Sequence, residues 1–208
     1  MKCRLCHAES NKYYVQGERI FYQCVRCRSI QVHHQMLPSA SQEKERYGLH
    51  QNSSSDSGYV SFLRPLIDVA MKYHSKNDTG LDFGSGPEPV LTELLQHEGY
   101  AVEAYDPIFK NDSVLLTEEY DFIICCEVAE HFHDPASEFF KLSKMLKRGG
   151  SLFIKTHLFT ADVDFPAWWY KNDITHVFFY TSEALEYIKH TYNFSGLQME
   201  SNVIRFIK

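Results

Sequence analysis

Apolar positions from residue 59 onward switch between the period of a helix and that of a buried strand. Between 59 and 73, residues such as Leu63, Leu66 and Ile67 recur on one helical face. Further helical patterns and short apolar runs alternate after this segment. The helical patterns cover 89–97 and 134–150, and the apolar runs cover 81–83, 101–105, 120–126 and 151–156. This alternation predicts an α/β fold with a parallel sheet covered on both faces.

The end of the chain has a different pattern. A helix is predicted near 182–191, and two strands follow it at Leu197–Ser201 and Val203–Ile207. Strands this close in sequence can be joined only as an antiparallel hairpin.

Residues 36–58 lack this periodicity and end in a polar run of small residues at 51–58. Such a run is typical of a linker or a cover segment, although 41–49 favours a short helix. We therefore expect three parts, at 1–35, 36–58 and 59–208.

Four of the six cysteines form two pairs, Cys3-x-x-Cys6 and Cys24-x-x-Cys27, separated by residues 7–23. This spacing is typical of a structural zinc site, in which four thiolates close the tetrahedral shell of the metal. A segment of this size cannot bury a sufficient core, so metal binding would stabilise it. The pairs predict a zinc ribbon at 1–35; chance pairs or a redox dithiol are the alternatives.

The composition excludes some classes of function. The chain has 208 residues and a formal net charge of −6, which argues against general binding to nucleic acid. No apolar run approaches the ~18–20 residues of a membrane span. The start at Met1-Lys2 lacks the apolar stretch of a secretory signal, so we expect a cytoplasmic, reducing location and cysteines that act as ligands or core residues.

A glycine turn follows the first predicted strand of the larger domain. Asp82, Gly84 and Gly86 lie between that strand and the next helix, where glycines let a ligand approach the backbone. A dinucleotide-binding turn would have a third glycine at the position of Pro89. Asp106, twenty residues after Gly86, ends the second strand, where a carboxylate can accept both ribose hydroxyls. The combination indicates binding of a nucleoside without a pyrophosphate.

The segments 81–86, 105–106, 120–131 and 145–150 resemble, in order, the motifs of class I S-adenosylmethionine-dependent methyltransferases. They are similar to ubiquinone-biosynthesis O-methyltransferases, including a subgroup with an amino-terminal zinc ribbon, and 172–180 strengthens the match. The resemblance implies a Rossmann-like, mostly parallel sheet of seven strands, one of them vestigial in this chain, with an antiparallel last strand.

The resemblance also implies roles for particular residues. The two glycines of the turn would pass under the methionine part of S-adenosylmethionine. Asp82 would steer the amino group of the cofactor, and Asp106 would hold its ribose. Cys126 and Glu127, at the end of the third strand, would border the cofactor and its methyl group.

Two features depart from this family pattern. Glu88 occupies the position at which the family usually has a third glycine. Between Asp106 and Asp121 there is no room for the helix and strand that normally supply adenine contacts. Ser113–Leu116 can form at most a stub of an edge strand.

The sequence Glu127-x-x-Glu130-His131 places two carboxylates and an imidazole beside the expected methyl group. Related methyltransferases with this motif, including small-RNA terminal 2′-O-methyltransferases, use a further distal histidine to bind a divalent metal, and His176 is the candidate here. Glu127, His131 and His176 are thus candidate catalytic residues, because a metal lowers the pKa of an acceptor hydroxyl. Two alternatives are His131 as a base without metal, and Glu130 and His131 as capping residues of the next helix.

Trp168-Trp169-Tyr170 precedes His176 and predicts either an aromatic wall for a planar acceptor or a cover for the end of the sheet. His157, just past a strand end, is a third candidate base. Cys125 is expected to be a core residue.

Three functions follow from these features. The first is transfer of a methyl group from S-adenosylmethionine to an oxygen or carbon of a small molecule. The second is methylation of RNA, with the ribbon as a clamp. The third is a non-catalytic binding module that contacts a partner through its ribbon.

Overall fold

The computed structural model describes residues 1–49 and 53–208. Residues 51 and 52 of the expected polar run lie outside the described residues. The strands are β1 (Ser10–Gln16), β2 (Arg19–Cys24), β3 (Ile30–Val32), β4 (Thr79–Phe83), β5 (Ala101–Tyr105), β6 (Tyr120–Cys126), β7 (Leu146–Lys155), β8 (Phe178–Phe179), β9 (Gly196–Glu200) and β10 (Val203–Ile207). The helices are α1 (Ala40–Tyr47), α2 (Ser57–Tyr73), α3 (Val90–His97), α4 (Pro135–Lys144) and α5 (Ser182–Thr191).

The larger sheet has the strand order β5-β4-β6-β7-β10-β9. Its first four strands are parallel, while β10 is antiparallel to both β7 and β9. The mostly parallel sheet and the terminal hairpin are therefore confirmed. The hairpin forms because one strand follows the other after only two residues, 201 and 202.

The larger sheet has six strands in the described part of the chain, so the seventh strand, which the sequence allows at most as a stub at Ser113–Leu116, does not form. Ser113–Thr117 forms a 3-10 turn, and Asp112 begins it by accepting a hydrogen bond from the amide of Val114. Residues 106–119 are too few for a crossover helix and another strand, since a parallel connection alone needs about a dozen residues. As a result, β5 is an edge strand of the sheet.

The helix expected to run to Gly149–Gly150 ends earlier. α4 ends at Lys144, and β7 already begins at the buried Leu146, which pairs with Tyr120 of β6. Gly149 has φ +83 and lies inside β7. This conformation does not end a helix here; it permits an irregularity in the pairing of the strand.

Helices cover both faces of the larger sheet. Along β6, Phe122 and Ile124 face the cluster packed by α2 and α3, whereas Ile123 and Cys125 face the cluster packed by α4 and α5. Alternate residues of a strand point to opposite faces, so each face of this strand is buried. Cys125 is a core residue, as expected. Among the described residues, no helix is long and apolar enough to cross a bilayer.

The ribbon (residues 1–35) forms a second sheet with the order β1-β2-β3-β8. Its last strand, β8, comes from the larger domain, and Ile30 of β3 pairs with Phe179 of β8. A shared apolar cluster surrounds this junction: Phe21, Ile30, Val32, Phe165, Tyr170, Val177 and Phe179. The ribbon is therefore packed against the segment that contains Tyr170 and His176. A two-residue strand such as β8 has no periodicity from which the sequence could predict it.

Candidate functional site

The four cysteines of the ribbon form one buried cluster. The sulfur atoms of Cys3, Cys6, Cys24 and Cys27 all lie within 4.8 Å of one another. Cys3 and Cys27 are 3.6 Å apart, and Cys6 and Cys24 are 3.3 Å apart. Tetrahedral zinc, with Zn–S bonds of about 2.3 Å, places its sulfur ligands roughly 3.8 Å apart. The cluster therefore has the residue types and the size that a structural zinc ion requires.

The glycine turn lies at the carboxyl end of β4, as the sequence predicts. Gly84 has φ +86 and Gly86 has φ +71, a region that residues with a Cβ rarely adopt. A Cβ added to Gly84 would lie 2.6 Å from Val128, whereas one added to Gly86 would meet no atom within 4 Å. Gly84 therefore packs closely against Val128, in the segment after β6, whereas the position of a Cβ on Gly86 is open.

The structure brings two carboxylates to this turn. Asp106 is buried, and its Oδ2 accepts a hydrogen bond of 3.0 Å from the amide of Gly86, while Oδ1 accepts from the amides of Ile108 and Phe109. Asp82 is buried below the turn and accepts a hydrogen bond from the hydroxyl of Thr92. Burial raises the pKa of Asp82 to about 6. Asp106 therefore contacts Gly86 directly, whereas Asp82 lies two residues before Gly84 and is bound to α3, and Glu88 is exposed.

A cluster of acids lies directly after β6. Glu127 has φ +52, and the side chain of Glu130 is fully buried. The hydroxyl of Tyr170 lies 3.1 Å from Oε2 of Glu127 and 2.5 Å from Oε1 of Glu130. Thr156 donates a hydrogen bond of 2.9 Å to the other oxygen of Glu130. Oε1 of Glu127 is buried without a hydrogen-bond partner among the described residues.

Burial changes how these acids ionise. It raises the pKa of Glu127 to about 8, and the neighbouring charge of Glu130 adds to the effect. Burial also raises the pKa of Glu130. Two carboxylates this close cannot both be ionised without a compensating positive charge, so the pair holds either a proton or a cation.

His131 and His176 adjoin the acids, with ring centres 4.8 Å apart. Nδ1 of His131 lies 2.9 Å from the carbonyl oxygen of Thr175, and Nδ1 of His176 lies 2.7 Å from that of Tyr170. A carbonyl oxygen only accepts hydrogen bonds, so each Nδ1 carries the proton and each Nε2 presents a lone pair. Burial lowers the pKa of both rings, that of His176 to about 4, which keeps them neutral.

Three of the four predicted metal ligands meet one another. Ligand atoms of Glu130, His131 and His176 lie within 4.8 Å of one another, and Glu127 adjoins them through Tyr170. Neutral imidazole nitrogens and carboxylate oxygens are ligands for divalent metals such as Mn²⁺, Fe²⁺ and Zn²⁺. The oxygen of Glu127 that has no hydrogen-bond partner among the described residues is a further carboxylate donor next to this group, although Glu127 is not one of the three residues whose ligand atoms lie within 4.8 Å. The residues present therefore fit a divalent cation.

The two tryptophans have different environments. Trp168 packs against Phe165 and Phe179 beside the ribbon. Trp169 is 64% exposed, and its ring centre lies 5.3 Å from that of His157. Of the two tryptophans, Trp169 is therefore the one that presents an open aromatic surface beside His157. Its partner His157 is close enough to Glu127 to lower the pKa of that acid, against the larger effect of burial.

Several residues at the site were missed by the sequence analysis. Tyr170 was noted only as part of an aromatic run, and Thr156 only as a strand end, yet both bind Glu130. Tyr47 of α1 packs its ring edge-on to His131, with centres 5.3 Å apart. These residues are distant in sequence from the acids, so no spacing could have indicated the contacts.

Cys126 is half-buried next to Glu127, and burial raises the pKa of its thiol well above the usual value.

Comparison with known proteins identifies the family of the domain. Residues 56–199 match a family model described as a methyltransferase domain. Over 91 residues the chain is 30% identical to a ubiquinone biosynthesis O-methyltransferase of Pseudomonas savastanoi pv. phaseolicola, covering 44% of this chain and 39% of the relative. A protein of the same name from Erwinia tasmaniensis is 28% identical over 91 residues, covering 44% of this chain and 37% of the relative. The chain thus spans about two fifths of the length of these curated relatives.

Solved structures show the same fold. An O-methyltransferase family protein from Burkholderia thailandensis has a TM-score of 0.57 at 15% identity, covering 83% of this chain and 64% of that one. A SAM dependent methyltransferase from Archaeoglobus fulgidus has a TM-score of 0.53 at 16% identity, covering 82% of this chain and 100% of that one.

Proposed function

The chain belongs to the methyltransferase-domain family, and on that premise we propose that it transfers a methyl group from S-adenosylmethionine to a hydroxyl oxygen of a small-molecule acceptor. One observation carries the proposal: the glycine turn and the acid–histidine segment are in contact. A Cβ on Gly84 would lie 2.6 Å from Val128, the residue between Glu127 and the 3-10 turn that contains Glu130 and His131. A cofactor above the turn would therefore lie beside the acids and histidines.

The position in the sheet supports a binding site at this place. From β4 the chain crosses first to β5 on one side and then to β6 on the other. In open parallel sheets, ligands bind at the carboxyl ends of the strands where the strand order reverses in this way. The glycine turn, Asp106 and Glu127 all lie at these strand ends.

The residues around the turn would bind the cofactor as follows. Gly86 leaves its outer side open for the methionine part, and Asp106 accepts hydrogen bonds from the ribose hydroxyls. Asp82 steers the amino group through the turn, and Cys126 and Glu127 border the methyl group. S-adenosylmethionine, when bound, supplies a methyl group on a sulfonium, and the protein contributes by aligning the acceptor oxygen with it.

We further propose that Glu127, Glu130, His131 and His176 hold a divalent cation next to the acceptor. Such a cation lowers the pKa of a hydroxyl that it contacts. The carbonyl groups of Thr175 and Tyr170 keep the two rings in the form with a free Nε2. The hydroxyls of Tyr170 and Thr156 orient Glu130. These groups act as the outer contacts that fix ligand orientation at metal sites.

A zinc ion in the four-cysteine cluster would have a different purpose. Four sulfur ligands leave no open position, so such an ion stabilises structure and activates no water or substrate. The cysteines are buried, with exposed fractions of 0–5%, which agrees with a closed site. We therefore assign Cys3, Cys6, Cys24 and Cys27 to structural zinc.

The direct test is a methyl-transfer assay on the full chain. Labelled S-adenosylmethionine is incubated with a panel of phenolic and aliphatic hydroxyl compounds, with Mg²⁺ or Mn²⁺ and then with a chelator that leaves the ribbon's zinc in place. We expect transfer to oxygen that depends on the added cation. Calorimetry with S-adenosylhomocysteine accompanies the assay.

Other results would contradict the proposal in distinct ways. If folded protein does not bind S-adenosylhomocysteine, the chain is a non-catalytic module. If RNA rather than a small molecule is methylated, the acceptor class is wrong, and the acidic net charge of −6 argues for small molecules. If activity is indifferent to cations and chelator, the metal is excluded and His131 or His157 becomes the candidate base.

A further inference from the structure

Arg19 of the ribbon binds the segment that carries His176. Its Nη1 donates hydrogen bonds to the carbonyl oxygens of Lys171 at 2.6 Å and Asp173 at 3.1 Å, and its Nη2 donates to that of His176 at 2.8 Å. The guanidinium carbon also lies 5.1 Å from the ring centre of Phe21. One side chain of the ribbon thus holds three carbonyl groups within six residues of the larger domain.

The same segment fixes both histidine rings. The carbonyl of Tyr170 accepts from Nδ1 of His176, and the carbonyl of Thr175 accepts from Nδ1 of His131. The carbonyl of Tyr170 directly precedes the first of the three that Arg19 holds, and that of Thr175 directly precedes the last. Each of the two carbonyls belongs to the peptide group next to one that Arg19 holds, and adjacent peptide groups are joined only through φ and ψ of the residue between them, so an anchored carbonyl restricts the orientation of its neighbour. The direction of both Nδ1 partners therefore depends on the hydrogen bonds made by Arg19.

A second arginine of the ribbon, Arg4, binds backbone groups that follow the two histidines in sequence. Arg4 donates hydrogen bonds to the carbonyl oxygens of His133 at 2.8 Å and Val177 at 2.6 Å. The amide of Val177 in turn donates to the carbonyl of Glu130 at 2.9 Å. Burial lowers the pKa of Arg4 to about 10, so the guanidinium stays charged at neutral pH.

We propose that the zinc ribbon is a positioning element of the site, in which Arg19 holds His131 and His176 with Nδ1 protonated and Nε2 directed at the acids. The cation-binding part of this statement rests on the proposed function. Arginine suits the role because its planar fork presents five N–H donors and remains charged, whereas lysine presents one compact ammonium group. Arg19 is a positioning residue, since its side-chain hydrogen bonds among the described residues all go to backbone carbonyls and not to the acids.

The test compares Arg19→Met with Arg28→Met in the full chain. Arg28 is an exposed ribbon residue whose one side-chain hydrogen bond among the described residues goes to Gln23, so it is a matched control. Nitrogen-15 NMR of the histidine side chains reports which ring nitrogen carries the proton, and His131→Gln and His176→Gln assign the signals. Zinc content and a Mn²⁺ titration are measured on the same samples.

We expect wild type and Arg28→Met to show protonated Nδ1 at both histidines. Arg19→Met should retain one equivalent of zinc, show mixed ring forms and bind Mn²⁺ about 10–100-fold more weakly, the usual loss when an outer contact of a metal ligand is removed. Unchanged ring forms in Arg19→Met would overturn the proposal. A change in ring forms in protein that never binds Mn²⁺ would support the positioning role and contradict the cation site.

A second variant covers the case in which Arg19→Met loses its zinc. Arg19→Lys retains the charge and the aliphatic stem but loses the fork of donors. We expect it to keep zinc and to show mixed ring forms. If both Arg19 variants lose zinc while Arg28→Met retains it, the role of Arg19 is to stabilise the ribbon itself, and the proposal is wrong.

Discussion

The hydroxyl oxygen of Tyr170 lies 2.5 Å from Oε1 of Glu130, and the same oxygen lies 3.1 Å from Oε2 of Glu127. A hydroxyl group has one proton, so it donates to only one of these carboxylates at a time. The other carboxylate must gain a proton or a cation to remain in this buried place. Tyr170 therefore brings the acids together without neutralising them, and the site should respond to both pH and divalent cations.

The first prediction concerns pH. With a pKa raised from 4.5 to about 8, Glu127 keeps a proton in the folded state that the unfolded chain releases, so stability falls as pH rises between these values. The lowered pKa values of His131 and His176 have the opposite effect, because they reduce stability as pH falls, but only below about pH 6.5. Between pH 6.5 and 8 we expect cation-free protein to lose about 1–2 kcal/mol of unfolding free energy.

Urea unfolding at several pH values, in wild type and in Glu127→Gln, measures this effect. The glutamine has the same shape and does not titrate, so its stability should change much less across this window. Saturating Mn²⁺ should also suppress the loss in wild type, because the cation replaces the proton. Equal pH dependence in both proteins would show that Glu127 has no raised pKa.

The second prediction concerns a candidate metal ligand. His176→Gln should weaken Mn²⁺ binding by at least about 10–100-fold. Removing a residue that only orients a metal ligand already lowers metal affinity by this factor, and His176 is proposed as a ligand itself. His190, on α5, is a suitable control because its side chain is 75% exposed and lies 3.6 Å from Glu186 of the same helix. Titration of His176→Gln and His190→Gln with Mn²⁺ distinguishes the two. Similar affinities would remove His176 from the ligand set.

The third prediction compares two glycines of similar backbone conformation. Gly86 has φ +71 and Gly17 has φ +58, and a Cβ on either would meet no atom within 4 Å. Alanine at either position should cost about 1–2 kcal/mol of stability, because a side chain disfavours this region. Only Gly86→Ala should also weaken binding of S-adenosylhomocysteine, by about tenfold or more, since its Cβ enters the space above the turn.

Chemical denaturation and calorimetry on the two variants provide the comparison. Gly17→Ala lies in the ribbon turn between β1 and β2 and should bind as wild type does. Cofactor affinity that falls equally in both variants would indicate a general loss of stability rather than a block at Gly86.

The fourth prediction concerns the ribose. Hydrogen bonds to a charged acceptor contribute about 1.5–3 kcal/mol, so Asp106→Asn should bind S-adenosylhomocysteine roughly 10–100-fold more weakly. Asp112→Asn is the matched control, because Asp112 accepts one amide hydrogen bond in an exposed turn. Calorimetry on both variants is the measurement. If Asp106→Asn binds S-adenosylhomocysteine with wild-type affinity, Asp106 does not bind the ribose.

Much of the chain could be predicted from local patterns. Each Cys-x-x-Cys pair, each strand or helix of the alternation, the glycine turn and Glu127-x-x-Glu130-His131 is a pattern of neighbouring residues. Their spacing alone fixes which side chains share a turn, a strand end or a face of the sheet. The fold that these patterns predict is confirmed, except for one strand, while the roles of the site residues remain predictions.

The tertiary structure decided the contacts between distant segments. Tyr170 meets Glu130 across 40 residues, and Arg19 meets the carbonyl of His176 across 157. Backbone carbonyl groups are the same in every residue, so a side chain that binds them leaves no mark in the sequence of its partner. The sequence by itself determined which chemical groups the chain possesses and their local arrangement. Only tertiary packing, within the larger domain and of the ribbon against it, determined which of these groups meet, because that depends on how whole surfaces fit together.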